Sequence, residues 1–119
     1  MKWYLAKIVY RIVCGNGVHA AQFDEQLRLI AATHQEQAFE KAIAIGHSGE
    51  ESFENDRQQL VCWQFVNVAE LYPLHELIDG AELYARINEV DDAEAYVNFV
   101  HRKAATICGQ PSRQLLHLM

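Results

Sequence analysis

The stretch Lys2-Trp3-Tyr4-Leu5-Ala6-Lys7-Ile8-Val9-Tyr10-Arg11-Ile12-Val13 decides the fold, because it alternates like a strand and yet is apolar on both sides. Trp3, Leu5, Val9 and Val13 fall on one face, and Tyr4, Ala6, Ile8, Tyr10 and Ile12 on the other. A strand covered on both sides fits this pattern. Asn16-Gly17 follows, a pair that tolerates the positive φ angles of a tight hairpin turn. Phe23 to Ala32 then returns as a second strand, with Phe23, Leu27, Leu29 and Ala31 on one face.

Thr33 and Glu36 have the spacing of a capping box, so a helix is expected to start there and run to Gly46. Ala38, Ala42 and Ile45 share its inner face, widened by Phe39 and Ile43, while Glu36, Gln37, Glu40 and Lys41 lie outside. His47 to Gln59 is polar and carries the turn formers Gly49, Asn55 and Asp56, which reads as a long surface connection. Leu60 to Leu71 is β-branched and aromatic: Val61, Trp63, Phe65, Ala69 and Leu71 alternate with Cys62, Gln64, Val66 and Val68. This third strand is expected to stop at Tyr72-Pro73, since proline cannot donate to a ladder. Beyond Asp79-Gly80, Leu83, Ala85 and Ile87 alternate with Glu82, Tyr84 and Arg86 as a fourth strand.

Asp91 and Asp92 can cap a closing helix whose Ala93, Tyr96, Val97, Val100, Ala104 and Ile107 form one stripe, ended by Gly109 and Pro111. The expected architecture is α+β: a four-stranded antiparallel sheet in ββαββα order, the first helix on one face, with a C-terminal helix. Residues 1–109 make one domain, the closing helix covers 91–108, and 110–119 form a tail.

Composition narrows the function. The chain has 119 residues, half of them hydrophobic, enough to bury one core without disulfides or metals. Its net charge is −6 with Lys and Arg scattered, which argues against nucleic acid as a partner. Lys7 interrupts any apolar run that could serve as a signal peptide or membrane span, so a cytoplasmic protein is expected. Cys14, Cys62 and Cys108 are odd in number and contain no CxxC pair, which fits reduced thiols.

Several short strings resemble a known family: Trp3-Tyr4 with Ala6-Lys7, Glu25-x-Leu27-x-Leu29-Ile30, Glu51-Ser52-Phe53 with Asn55, Trp63-x-Phe65, and Leu77 with Asp79-Gly80-x-Glu82-Leu83-Tyr84-x-Arg86. In this order they resemble a bacterial family of uncharacterised proteins, the domain of unknown function numbered 4288. The similarity covers roughly residues 1–87 and departs from the family at Gln37-Ala38, where a Glu-Ala pair is expected. The resemblance implies no activity, cofactor or catalytic residue.

No motif joins a nucleophile to a base and an orienting group, so no catalytic residue is assigned. The six histidines show no i, i+4 pair on one helix face, and neither a metal nor another cofactor is expected. His34 with Cys14 or Cys62 is a conceivable Cys-His pair, but buried thiols usually pack as small hydrophobes. The acidic run of Glu50, Glu51, Glu54 and Asp56 reads as a solvated loop.

The candidate ligand-binding set is Lys7, Asn55, Trp63, Glu82, Tyr84 and Arg86, side chains that with Arg11 could rim a groove on the sheet. Cross-strand ion pairing is the simpler account of the charges. The leading expectation is a non-catalytic cytosolic binding module with a possible protein partner. A small enzyme or nucleotide-binding domain is the runner-up, and an acidic inhibitor of a basic partner the third reading. The two-faced first strand needs more cover than one helix provides, so a homodimer is expected, through the sheet face or through the closing helix and its Leu115, Leu116, Leu118, Met119 tail.

Overall fold

The computed structural model describes residues 1–109. A first compact unit spans Met1–Leu83, and a second begins at Tyr84. The elements are β1 (Lys2–Cys14), β2 (Gln22–Ala32), α1 (Gln35–Ser48), β3 (Glu51–Glu54), β4 (Leu60–Leu74) and α2 (Ala93–Ile107). The order is ββαββα, and the four strands form one antiparallel sheet ordered β2-β1-β4-β3. β1 is therefore flanked on both sides.

The β1–β2 hairpin forms, but across the longer connection of residues 15–21 in place of a tight turn at Asn16-Gly17, a pair of which only Gly17 takes a positive φ. Gly17 adopts φ 81°, its N–H donates to the Cys14 carbonyl, and Asn16 Oδ1 accepts from the Val18 amide. Tyr4, Ala6, Ile8 and Tyr10 are buried on the α1 side of the sheet. There Tyr4 and Ala6 join Ile30, Ala32, Ala38 and Ala42 in a core flanked by Ile45, Val68 and Leu71.

The capping differs from expectation by one residue. His34 is the N-cap, its Nδ1 accepting from the Gln37 amide at 3.2 Å, while Gln37 Oε1 reaches back to the Thr33 amide at 2.7 Å. The reciprocal logic of a capping box survives with an imidazole in place of the Thr33 hydroxyl and Gln37 in place of Glu36. The helix also continues past Gly46 to Ser48, because Gly46 is buried beneath the Phe65 ring and does not act as a stop.

Two strand assignments need correction. The polar segment Glu51–Glu54 is a strand: it pairs with Leu60–Trp63 across an Asn55–Gln59 turn, with only Phe53 as an apolar residue to signal it. Leu83–Ile87 is not a strand, and Ile87 is 97% exposed. Alternation alone cannot make a strand where no neighbour supplies a ladder.

β4 runs through Pro73 to Leu74, so the expected stop at Tyr72-Pro73 does not occur. Beyond Trp63 no described strand lies on its outer side, and a proline whose missing N–H faces outward removes no ladder bond. Register shifts against β1 between Lys7 and Ile8 and between Val9 and Tyr10 bring Val68, not Ala69, onto the core face.

In the second unit, Asp92 caps α2 by accepting from the Ala95 amide at 3.0 Å, and the helix buries none of its side chains. The expected Pro111 stop and the leucine-rich tail lie outside the described residues.

Candidate functional site

Strand alternation sends the expected site residues to different places. Lys7 lies on the face away from α1, where its ammonium sits 3.0 Å from Glu25 and 3.4 Å from Glu70, one carboxylate from each neighbouring strand. The hydrogen bond to Glu25 is the chief reason the Lys7 pKa is raised; desolvation opposes it as the next largest effect, and Glu70 adds a smaller increase. Tyr72 donates to Glu70 Oε1 at 2.8 Å, extending the network along β4. Arg11 lies further along the same face, exposed and with no partner among the described residues.

Trp63 projects from the opposite face. Its indole N–H donates to Asp24 Oδ2 at 3.1 Å across β1, and its ring stacks on Phe53 at 5.8 Å. Gln26 donates to the same Asp24 oxygen at 2.7 Å, and Arg28 donates to Gln26 Oε1, so a polar ladder lines the helix side of β2. Asn55 is consumed by its turn: Oδ1 accepts from the Arg57 and Gln59 amides, and Nδ2 lies 3.5 Å from Cys14 Sγ. Glu82 lies next to the end of the first unit at Leu83, while Tyr84 and Arg86 open the second, all three outside any strand. Lys7, Asn55 and Trp63 thus do not converge, and the ion pairs of Lys7 come from Glu25 and Glu70, not from a strand at residues 83–87.

Two hollows in the first unit were not anticipated. At the hairpin end, Cys14, Asn16, Val18, His19, Ala20, Gln22 and Gln59 surround about 300 Å³. His19 Nε2 accepts the Cys14 amide at 3.0 Å while Nδ1 faces the Ala20 carbonyl at 2.8 Å, so the neutral ring with its proton on Nδ1 staples the turn. The imidazole beside Cys14 is therefore His19, and His34 is engaged in capping α1. The larger hollow, about 750 Å³, runs between α1 (Gln35, Glu36, Phe39, Glu40) and β4 (Val68–Leu71). No sequence periodicity pointed to it, because it depends on β3 ending early and on the β4 register shifts.

Burial raises the Tyr10 pKa, and its hydroxyl donates to the Gly46 carbonyl at 2.9 Å. Glu50 has a lowered pKa, chiefly because its carboxylate accepts the Phe65 amide at 3.0 Å and also meets His47. Tyr10 thus fixes α1 to β1, and Glu50 ties the end of α1 to β4. Among the described residues, no three His, Cys, Asp or Glu side chains are grouped to hold a metal ion, and no helix is long and apolar enough to cross a membrane.

A family model described as Domain of unknown function (DUF4288) matches residues 3–85, which include α1 and all four strands except Lys2 at the start of β1. No curated protein and no solved structure matches the chain.

Proposed function

The chain belongs to the DUF4288 family, and from the layout of its sheet we propose that it is a non-catalytic protein-interaction module of the bacterial cytosol that pairs with a second copy of itself. The observation that carries this reading is the face away from α1. Trp3, Leu27 and Leu29 are each 41 to 52% exposed there, around the Lys7–Glu25 pair. An apolar patch with a few charges set into it is the composition of an interface.

The charges also have the symmetry a two-fold contact needs. Lys7 and Arg11 stand equally far from Val9 along β1, and Glu25 lies beside Lys7. A two-fold axis near Val9 sets each Arg11 against the other copy's Glu25, an isologous arrangement. A cytosolic setting agrees with three unpaired thiols, Cys14, Cys62 and Cys108.

Sedimentation equilibrium at tens of micromolar protein tests the reading. The expected mass is two chains, falling to one in Leu29→Glu with an unchanged far-ultraviolet spectrum. Arg11→Glu should weaken pairing, and Arg11→Glu with Glu25→Arg should restore it. A single-chain mass for the unaltered protein at that concentration overturns the proposal.

A further inference from the structure

The outer side of β4 is covered by β3 only along Leu60–Trp63. Just beyond, side chains take the place of a strand: Glu50 Oε2 accepts the Phe65 amide and Asn67 Oδ1 accepts the Val68 amide. Past Val68 no described strand lies alongside. The direction of the remaining backbone groups follows from Pro73. Lacking an N–H, it cannot form a hydrogen-bonded pair with its partner Tyr4, so its carbonyl points outward, and Leu71, two residues before it and opposite Ala6, shares that orientation.

The opposite edge of the sheet provides a check. The same alternation turns the Ala31 carbonyl of β2 outward, and Lys41 of α1 donates to it. The β2 edge is thus partly capped by the helix, whereas the β4 edge beside Leu71 opens onto the 750 Å³ groove.

Both walls of that groove have chemistry. Phe39, 41% exposed, stands on α1 above Val68 and Leu71. Glu36 and Glu40, one helical turn apart, flank it and have no partner among the described residues. An added strand would turn alternate side chains toward α1. There a Lys or Arg fits best, its aliphatic stem against the Phe39 ring and its charge at Glu36 and Glu40. The register shifts of β4 curl this edge, which discourages open-ended sheet growth while leaving room for one short strand.

We infer that this groove receives an extended basic segment of another protein, added to β4 beside Leu71 and Pro73 as a continuation of the edge that β3 begins. Its helix-facing positions are Lys or Arg and the intervening ones β-branched or aromatic. The site lies on the helix side and edge of the sheet, so it stands apart from the self-association proposed through the opposite face.

The probe is a library of N-acetylated octapeptides with Lys at alternate positions and Val, Ile, Thr, Phe or Tyr between, screened against the full chain beside a matching library with Glu. Binders are expected from the Lys library alone. Glu36→Lys with Glu40→Lys should weaken them at least tenfold, and Phe39→Ala severalfold. N-methylation of one alternate set of peptide amides should abolish binding and methylation of the other set should not, and the Leu71 amide should become protected from hydrogen exchange. The inference is overturned by an empty Lys library, by equal recovery from both libraries, by protection on β2 in place of Leu71, or by protection of Leu71 that rises with protein concentration alone, which would make a second copy the occupant.

Discussion

Gly46 and Phe65 approach so closely that a Cβ built on the glycine would lie 2.2 Å from Phe65 Cε1. The ring cannot easily move away, since Tyr10 and His47 meet it edge-on at 6.0 and 4.7 Å. In an exposed helix interior, Gly→Ala gains about 0.5–1 kcal/mol. At Gly46 overpacking, about 1–3 kcal/mol, outweighs that gain. Gly46→Ala should therefore lower the denaturant midpoint, and adding Phe65→Leu should recover part of the loss. A midpoint raised by Gly46→Ala alone would show that α1 sits further from β4 than described.

Tyr10 makes the fold sensitive to alkali. Burial raises its pKa above the ordinary value of 10.0, so the native state holds the phenolic proton more tightly than the unfolded chain. The associated stability is complete below pH 10.0 and is lost as pH rises through the folded-state value. Lys7, raised by Glu25 and Glu70, acts in the same direction. Tyr10→Phe should flatten the decline above pH 10.0 while costing about 1 kcal/mol at neutral pH for the lost hydrogen bond. Urea melts from pH 7 to 11 would measure both effects, and an unchanged alkaline slope would count against the burial of this hydroxyl.

Trp63 joins three strands through one side chain, stacking on Phe53 of β3 and bonding Asp24 of β2 across β1. Because the ring is half-buried, Trp63→Ala should cost about 2–3 kcal/mol, below the range for a fully enclosed tryptophan. Trp63→Phe keeps the stacking and loses the indole donor, for about 1 kcal/mol. Chemical denaturation followed by circular dichroism checks both values. A cost below about 1 kcal/mol for the alanine would mean that the β3 edge is held by its backbone alone.

The elements that could be read in advance carry their signal within themselves. β1 announces a strand with the apolar row Tyr4, Ala6, Ile8 and Tyr10 that α1 covers, Asn16-Gly17 announces a turn, and the apolar stripe of α1 announces its side of the sheet. What escaped depends on neighbours. Glu51–Glu54 holds one apolar residue and becomes a strand only because β4 offers it a partner, whereas Leu83–Ile87 alternates well and finds none. The β4 register shifts moved Val68 to the core and Ala69 outward, a change strict alternation cannot express. The site suffered most, because the partners of Lys7 are fixed by pairings on both sides of β1, while the groove beside Leu71 exists only where pairing stops.

The central place of β1 also governs the order in which the chain can assemble. Its contacts with β2 close across a short loop, so this hairpin can form early. Its other edge waits for β4, which follows α1 and β3 in the chain. On the ribosome, the nascent hairpin therefore exposes both the edge of β1 and the apolar row of Tyr4, Ile8 and Tyr10 until Leu74 has emerged. Slowing translation between Ala32 and Leu60 would lengthen that exposure, making this interval the vulnerable one for misassembly during synthesis.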